Sequence, residues 1–263
     1  MGVELDVSHA LLLRPGEGET VTDRPERTLR ILAELEQLIV TWFRYESGEK
    51  GPDPHIHRHH TDAFYVLEGE VEFGLGPDVT SVRGGPGTYV AAPPGVVHTF
   101  ENSSDATAIF LNMHAPSMGF GDHIRGRGHD AFDQVDPPPD GGRPLADAVA
   151  SASGKGERFE RENRVLVIKG QLPQLSLLDL TFQPGWRGVE PHAHDDHVDA
   201  FFVLEGDAEL IAGDELLRAG PGTFVAEPLD VRHGFRANTG AESLRLLNLH
   251  APDAGFADAV RRG

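Results

Sequence analysis

An all-β protein of two tandem barrels is what the 263-residue sequence predicts, on three observations: the chain repeats itself, each copy reads as short strands between turns, and 31 glycines and 19 prolines punctuate both copies. The repeat is visible residue by residue. The run from Pro54 to Gly69 (PHIHRHHTDAFYVLEG) returns 137 positions later, from Pro191 to Gly206, as PHAHDDHVDAFFVLEG. The run from Gly85 to Ala91 (GPGTYVA) returns from Gly220 to Ala226 as GPGTFVA, and His98 and Phe100 match His233 and Phe235. The run from Leu111 to Pro116 (LNMHAP) returns from Leu247 to Pro252 as LNLHAP.

The first copy predicts strands over 38–45, 63–73, 88–92 and 108–114, rich in β-branched and aromatic residues. The second predicts them over 175–182, 200–211, 223–226 and 243–250. Many short strands at regular spacing suggest a sandwich or barrel. Gly69 and Gly206, each ending a matched run, are expected in tight turns. Between the copies, 125–153 contains Pro137-Pro138-Pro139-Asp140-Gly141-Gly142 and reads as a linker, with a short helix expected over 145–152. The expected domains are therefore 1–124, the linker 125–153, and 154–263.

Composition narrows the function. Hydrophobic residues at 39% support a packed core, while a net charge of −19 repels phosphate backbones and anionic lipid. No nucleic-acid or membrane partner is expected. With no cysteine, disulfides, thiol nucleophiles, cysteine zinc sites and iron–sulfur clusters are excluded. No apolar run approaches the roughly 20 residues of a membrane span. The first 14 residues lack a basic stretch followed by a long apolar one, so the expected location is cytoplasmic.

The histidines carry the chemistry. Of 14, ten fall in five matched pairs: His55/His192, His57/His194, His60/His197, His98/His233 and His114/His250. His9, His59, His123 and His129 have no counterpart, and His59 is expected on an exposed loop. On a strand, residues two apart face the same side, so His55 and His57 can point together into a barrel. Asp62 lies an odd step further on, and a bend must bring it to the same side. His98 can close the site from a later strand. Neutral imidazoles with one carboxylate suit a divalent transition metal rather than Ca or Mg. His114 and His250 are expected to pack or cap a strand end rather than ligate. Trp42, Arg44 and Tyr45 are candidates to line a pocket of the first barrel, while the equivalent strand of the second copy carries Asp179 and Thr181.

His55, His57, Asp62 and Gly69 are spaced H-x-H-x4-D-x6-G, which resembles the first motif of the cupin superfamily, with Asp in place of Glu and with Gly48 one residue further out than the pattern states. Gly87, Pro93, Gly95, His98 and Asn102 match the second cupin motif at every position. In the second copy His192, His194, Asp199 and Gly206 match the first motif, and Gly222, Pro228 and His233 the second, with Asp230 and Ala237 replacing its Gly and Asn. The chain thus resembles a bicupin. The resemblance implies two jelly-roll, or double-stranded β-helix, barrels. It also implies metal ligands His55, His57, Asp62 and His98, and His192, His194, Asp199 and His233. Asp is shorter than Glu by roughly 1.5 Å, so His60 and His197 stand beside Asp62 and Asp199 as alternative fourth ligands. One divalent transition metal per barrel (Fe, Mn, Ni or Zn) is expected.

The leading functional expectation is a metal-dependent, dioxygenase-like oxidoreductase acting on a small organic acid or phenolic compound. The alternatives are a non-catalytic small-molecule or metal-binding cupin, and a metal-dependent decarboxylase or isomerase. The expected partners are a small-molecule substrate or ligand, and the fold is compatible with a homo-oligomer.

Overall fold

The computed structural model describes residues 9–128, 132–212, 215–237 and 242–263; His129 lies outside them. The alternating strands assemble into two units. The first, residues 19–155, is a seven-stranded sheet in the order Val149–Ser151, Tyr89–Ala92, Thr61–Glu68, Ala108–Ala115, Ile39–Tyr45, Arg27–Glu34, Glu19–Asp23. It is faced by a three-stranded sheet, Thr80–Gly84, Val71–Leu75 and His98–Glu101. The second unit, residues 9–18 with the described residues of 156–263, repeats the plan: seven strands from Leu11–Leu13 to Glu157–Arg161, and a four-stranded sheet holding Val189–His192 and His233–Ala237. All of these strand pairs are antiparallel, as two jelly-roll barrels require.

Aromatic side chains fill the first barrel on the inward face of the pleat. Phe43 stacks on Phe110 at 5.1 Å, and Phe64 meets Phe100 at 4.8 Å between centroids. Along Ile39–Tyr45, Phe43 and Tyr45 enter this core, whereas Trp42 and Arg44 face the other way. Arg30 covers Trp42, and Arg44 is held by Thr28 and Glu46. Of the three expected pocket residues, alternation leaves Tyr45 alone pointing inward.

Several boundaries differ from the sequence reading. The expected strands 63–73 and 200–211 each break in two, at Gly69 (φ +69°) and Gly206 (φ +72°). A Cβ there would stand 2.2 Å from the Thr107 carbonyl oxygen and 2.3 Å from that of Ser243, so both turns demand glycine. The expected helix 145–152 is a single 3-10 turn, Leu145–Asp147, followed by the strand Val149–Ser151 on the edge of Tyr89–Ala92. An open sheet edge satisfies this short segment's backbone groups where a two-turn helix would be marginal. The segment expected as a linker is part of the first unit: Ile56 bridges Val135, and Val96 bridges Arg143. At the other end, Leu11–Leu13 pairs with Phe224–Glu227, which puts this strand with the second unit. Among the described residues no helix is long and apolar enough to cross a membrane.

Candidate metal centre

In the first barrel the site is built by backbone pairing. His55 and His98 exchange both backbone hydrogen bonds across an isolated bridge, at 3.1 and 2.9 Å. A bend at residues 58–60 restores Asp62, second residue of Thr61–Glu68, to the same side. One donor atom from each of His55, His57, Asp62 and His98 lies within 4.8 Å of the others, and all four residues are buried. Asn112 donates its side-chain N–H to Asp62 Oδ1, leaving Oδ2 to face His98 Nε2 at 3.2 Å and His57 Nε2 at 3.9 Å.

The protonation pattern suits a metal. His55 Nδ1 donates to the Asp53 carbonyl at 2.8 Å, and His98 Nδ1 to that of Val96 at 3.0 Å. A carbonyl can only accept, so in the neutral rings the protons sit on Nδ1 and each Nε2 is a bare lone pair. A ring nitrogen 3.2 Å from a carboxylate oxygen is a favourable contact only with a proton or a metal ion between them. His57 is buried with no hydrogen-bond partner at either nitrogen. Such orphaned polar atoms are rare without a missing ion or water. Burial first, then neighbouring His98, pushes His55 down to about 4, and burial with His98, His60 and His114 lowers His57. Burial alone would raise Asp62, but His114 and His98 reverse it and hold the carboxyl below its usual range. Neutral imidazoles around a carboxylate are the state a divalent metal requires, so these residues fit one.

The second barrel repeats the plan more openly. Donor atoms of His192, His194 and His233 group together, with His192 and His194 partly exposed. His192 Nδ1 donates to Glu190 and His233 Nδ1 to Val231, both at 2.9 Å. His192 Nε2 and His194 Nε2 face each other at 3.1 Å. Two nitrogens sharing one ion at 2.0–2.1 Å stand about 3.0–3.4 Å apart. Asp199 is held by Asn248 and points its other oxygen at His233 Nε2, 3.5 Å away, outside the tight group.

His60 and His197 fall outside the groups of their neighbouring motif histidines with His98 and His233. Each lies against its neighbour instead: His60 on His57 at 4.0 Å between ring centres, His197 by His194 at 3.9 Å. His59 is exposed, as expected. His114 and His250 do more than cap strand ends. His114 is buried, lies 3.5 Å from Asp62 Oδ1 and stacks on Phe120 at 3.7 Å, and His250 holds the same relation to Asp199 and Phe256. The signal was present, since Asn112 and His114 recur together as Asn248 and His250.

Each centre opens into a cavity, of about 260 Å³ in the first barrel and about 160 Å³ in the second. Arg27 and Arg164 occupy matching places in the two linings, 137 positions apart like His55/His192 and His57/His194. Arg27 lies over the Tyr45 ring at 4.7 Å and pairs with Glu49 at 2.5 Å. Two further features carry no repeat signal. Phe132 packs against His57, His60, His114, Phe120 and His123 in the first barrel. In the second, Glu227 stands where the first has Ala92, opposite Asp199 in the sheet; burial pushes its carboxyl up to about 8.

A family model described as cupin domain matches residues 41–114 and 178–250. Solved structures share the architecture at low identity. The E. coli protein Ylba is 12% identical, with 94% of this chain and 92% of that one covered and a TM-score of 0.66. A Lactobacillus farciminis oxalate decarboxylase is 14% identical over 96% and 88% of the two chains, TM-score 0.62. The coconut allergen cocosin is 13% identical over 94% and 86%, TM-score 0.63. No curated protein matches the chain.

Proposed function

This chain belongs to the cupin family, and from that premise we propose a metal-dependent, dioxygenase-type oxidoreductase acting on a small organic acid or phenolic compound, with the first barrel as its reaction chamber. One observation carries the reading: His55, His57, Asp62 and His98 converge, and the first three face a cavity that also presents Arg27 and mixes aromatic walls (Phe43, Phe100, Phe120) with polar ones (Asn112, His123, Gln134). The bound metal would supply open coordination positions for O2 and a chelating substrate. His55, His57 and His98 would hold it through Nε2, and Asp62 through Oδ2. Arg27 would orient an anionic end of the substrate, because a guanidinium matches a carboxylate's two oxygens. Phe43, Phe100 and Phe120 would exclude water and favour a flat, apolar body.

The test is O2 uptake by the metal-loaded chain against a panel of small carboxylates and phenols, for the unaltered protein and for Arg27→Met. Uptake with a carboxylate or phenol, weakened by Arg27→Met through a KM raised about 10-fold or more, supports the reading. No uptake with any panel member at full metal loading contradicts it.

A decarboxylase reading is favoured by one feature of the second barrel. Glu227 is buried and pairs in the sheet with Asp199, which lines the second cavity together with Arg164, and its raised pKa keeps it protonated near neutrality. Replacing CO2 by a proton at carbon needs such an acid. Release of CO2 without O2 consumption, lost in Glu227→Gln, would select this reading over the first.

A further inference from the structure

Two of the five histidine pairs, His60/His197 and His114/His250, are not used by the four-donor group, yet they are buried beside it in both barrels. In the first barrel one donor atom each of His57, His60 and His114 lies within 4.8 Å of the others, a second cluster that shares only His57 with the first. All three residues are at most 2% exposed, and each leaves at least one ring nitrogen with no hydrogen-bond partner: both on His57, both on His60, Nδ1 on His114. His114 Nε2 is occupied by Asn112 Oδ1 at 3.2 Å, so Nδ1 is its free edge. His60 Nδ1 stands 3.0 Å from Asp133 Oδ1, a charge contact that falls short of hydrogen-bond geometry.

The second barrel shows part of this arrangement: His194 and His197 group with the exposed Asp196, and His250 lies outside the group. His197 Nδ1 bonds Asp196 Oδ1 at 2.6 Å, a carboxylate from the adjacent residue, where His60 takes one from Asp133, 73 positions on. His197 Nε2 and His250 Nδ1 are again bare and buried. An imidazole with a carboxylate at one nitrogen and nothing at the other is the usual dress of a metal-ligating histidine.

We propose that the first barrel binds a second divalent transition-metal ion, at His57, His60 and His114 with Asp133 beside His60; when both sites are filled His57 bridges the two cations as an imidazolate, Nε2 to one and Nδ1 to the other, its ring N–H proton released to solvent as the second ion binds. Three imidazoles with a carboxylate behind one of them is a donor set for Zn, Co, Mn or Ni. The near-parallel rings of His57 and His60, 27° apart, must open for both to reach one ion. Asp62 and Asp133 supply the negative charge that keeps two cations close together. The proposal stands beside the functional reading and does not need it, because His55 and His98 take no part.

The experiment is Co2+ binding to the full chain carrying His194→Ala and His197→Ala, which disable the second barrel. Bound metal is counted after desalting and followed by cobalt absorption. Two Co2+ are expected per chain, falling to one in added His98→Ala and to one in added His60→Gln with His114→Gln. A single Co2+ lost in His98→Ala but kept in His60→Gln with His114→Gln overturns the proposal and leaves the four-donor centre intact. A single Co2+ kept in His98→Ala but lost in the double Gln variant supports the second site and contradicts the four-donor centre. If a variant fails to fold, anomalous scattering from cobalt-loaded crystals of the unaltered chain decides: two peaks in the first barrel support the proposal and one overturns it.

Discussion

In the first barrel, His55, His57 and His98 are buried, with Phe132 packed against His57; in the second, the matching His192 and His194 are partly exposed. The ring placements are otherwise alike: His55 and His98 lie 4.2 Å apart between centres, His192 and His233 4.6 Å. Local strand pairing therefore sets where the imidazoles go. Their seclusion in the first barrel comes from the one segment the repeat does not contain, where Phe132 packs on the rings and Asp133 meets His60. The two centres therefore differ chiefly in the surroundings of the imidazoles, and in their carboxylate, which joins the donor group as Asp62 in the first barrel and stands outside it as Asp199 in the second.

The largest effect expected from breaking this comparison is on metal affinity. His57→Ala should cost the first barrel at least about 100-fold, because a buried donor with no substitute is removed. His194→Ala should cost the second barrel less, since solvent can fill the vacated position there. Competition against a chromophoric chelator measures both. Equal losses would remove the distinction drawn here.

Next comes the cover. Phe132→Ala should destabilise the first unit by about 2 kcal/mol, below the 3–5 typical of a fully buried Phe because Phe132 is only half-buried. It should also speed metal loss to a chelator about 10-fold and bring the two barrels' exchange rates together. An unchanged rate would mean that Phe132 does not seclude the centre.

Acid should then separate the metal-free barrels. Burial holds His55 at about 4 and His114 at about 3, well below the usual 6.5. As pH falls from about 6.5 toward 3 the unfolded chain binds these protons first, so the first unit loses stability over that window. In the second unit His194, at about 4, acts in the same direction. His233 acts oppositely: burial alone would lower it, but its contact with Asp199 raises it, so its contribution is full below 6.5 and lost as pH rises through its folded value. The first unit's melting temperature should therefore fall more steeply between pH 7 and 5. Trp42 and Trp186, one in each unit, report the two transitions separately in single-tryptophan variants.

The smallest effect is at Glu227. Its carboxyl, at about 8 in the fold, costs the second unit stability as pH rises from about 4.5 to 8. Glu227→Gln should raise that unit's melting at pH 9 by several degrees, or about 1–2 kcal/mol, and leave the first unit unmoved. No change would mean that Glu227 ionises as freely as in the unfolded chain.

How far the sequence could be read follows from which features repeat. The barrels and the pairing of His55 with His57 were legible because strand periodicity and residue spacing encode them, whereas Asp62, at an odd step, joins them only through the bend at 58–60. Asn112 and His114 were visible as a repeated pair, but their approach to Asp62 depends on the register that sets His114 opposite it. Phe132 and Asp133 left no trace, since a Pro- and Gly-rich segment carries no period to say what it will cover. The edge strands Leu11–Leu13 and Val149–Ser151 were missed for the same reason: three-residue strands gain their order from the partner sheet rather than from their own sequence.

The central claim is that three imidazoles and one carboxylate of the first barrel take a divalent metal directly. X-ray absorption at the zinc edge, on a chain carrying His194→Ala and loaded with one equivalent of Zn2+, tests it most directly. An inner set of three imidazole nitrogens and one oxygen is expected at about 2.0–2.2 Å, altered by Asp62→Ala. Zinc surrounded by oxygen alone, or a spectrum that Asp62→Ala leaves unchanged, would contradict it.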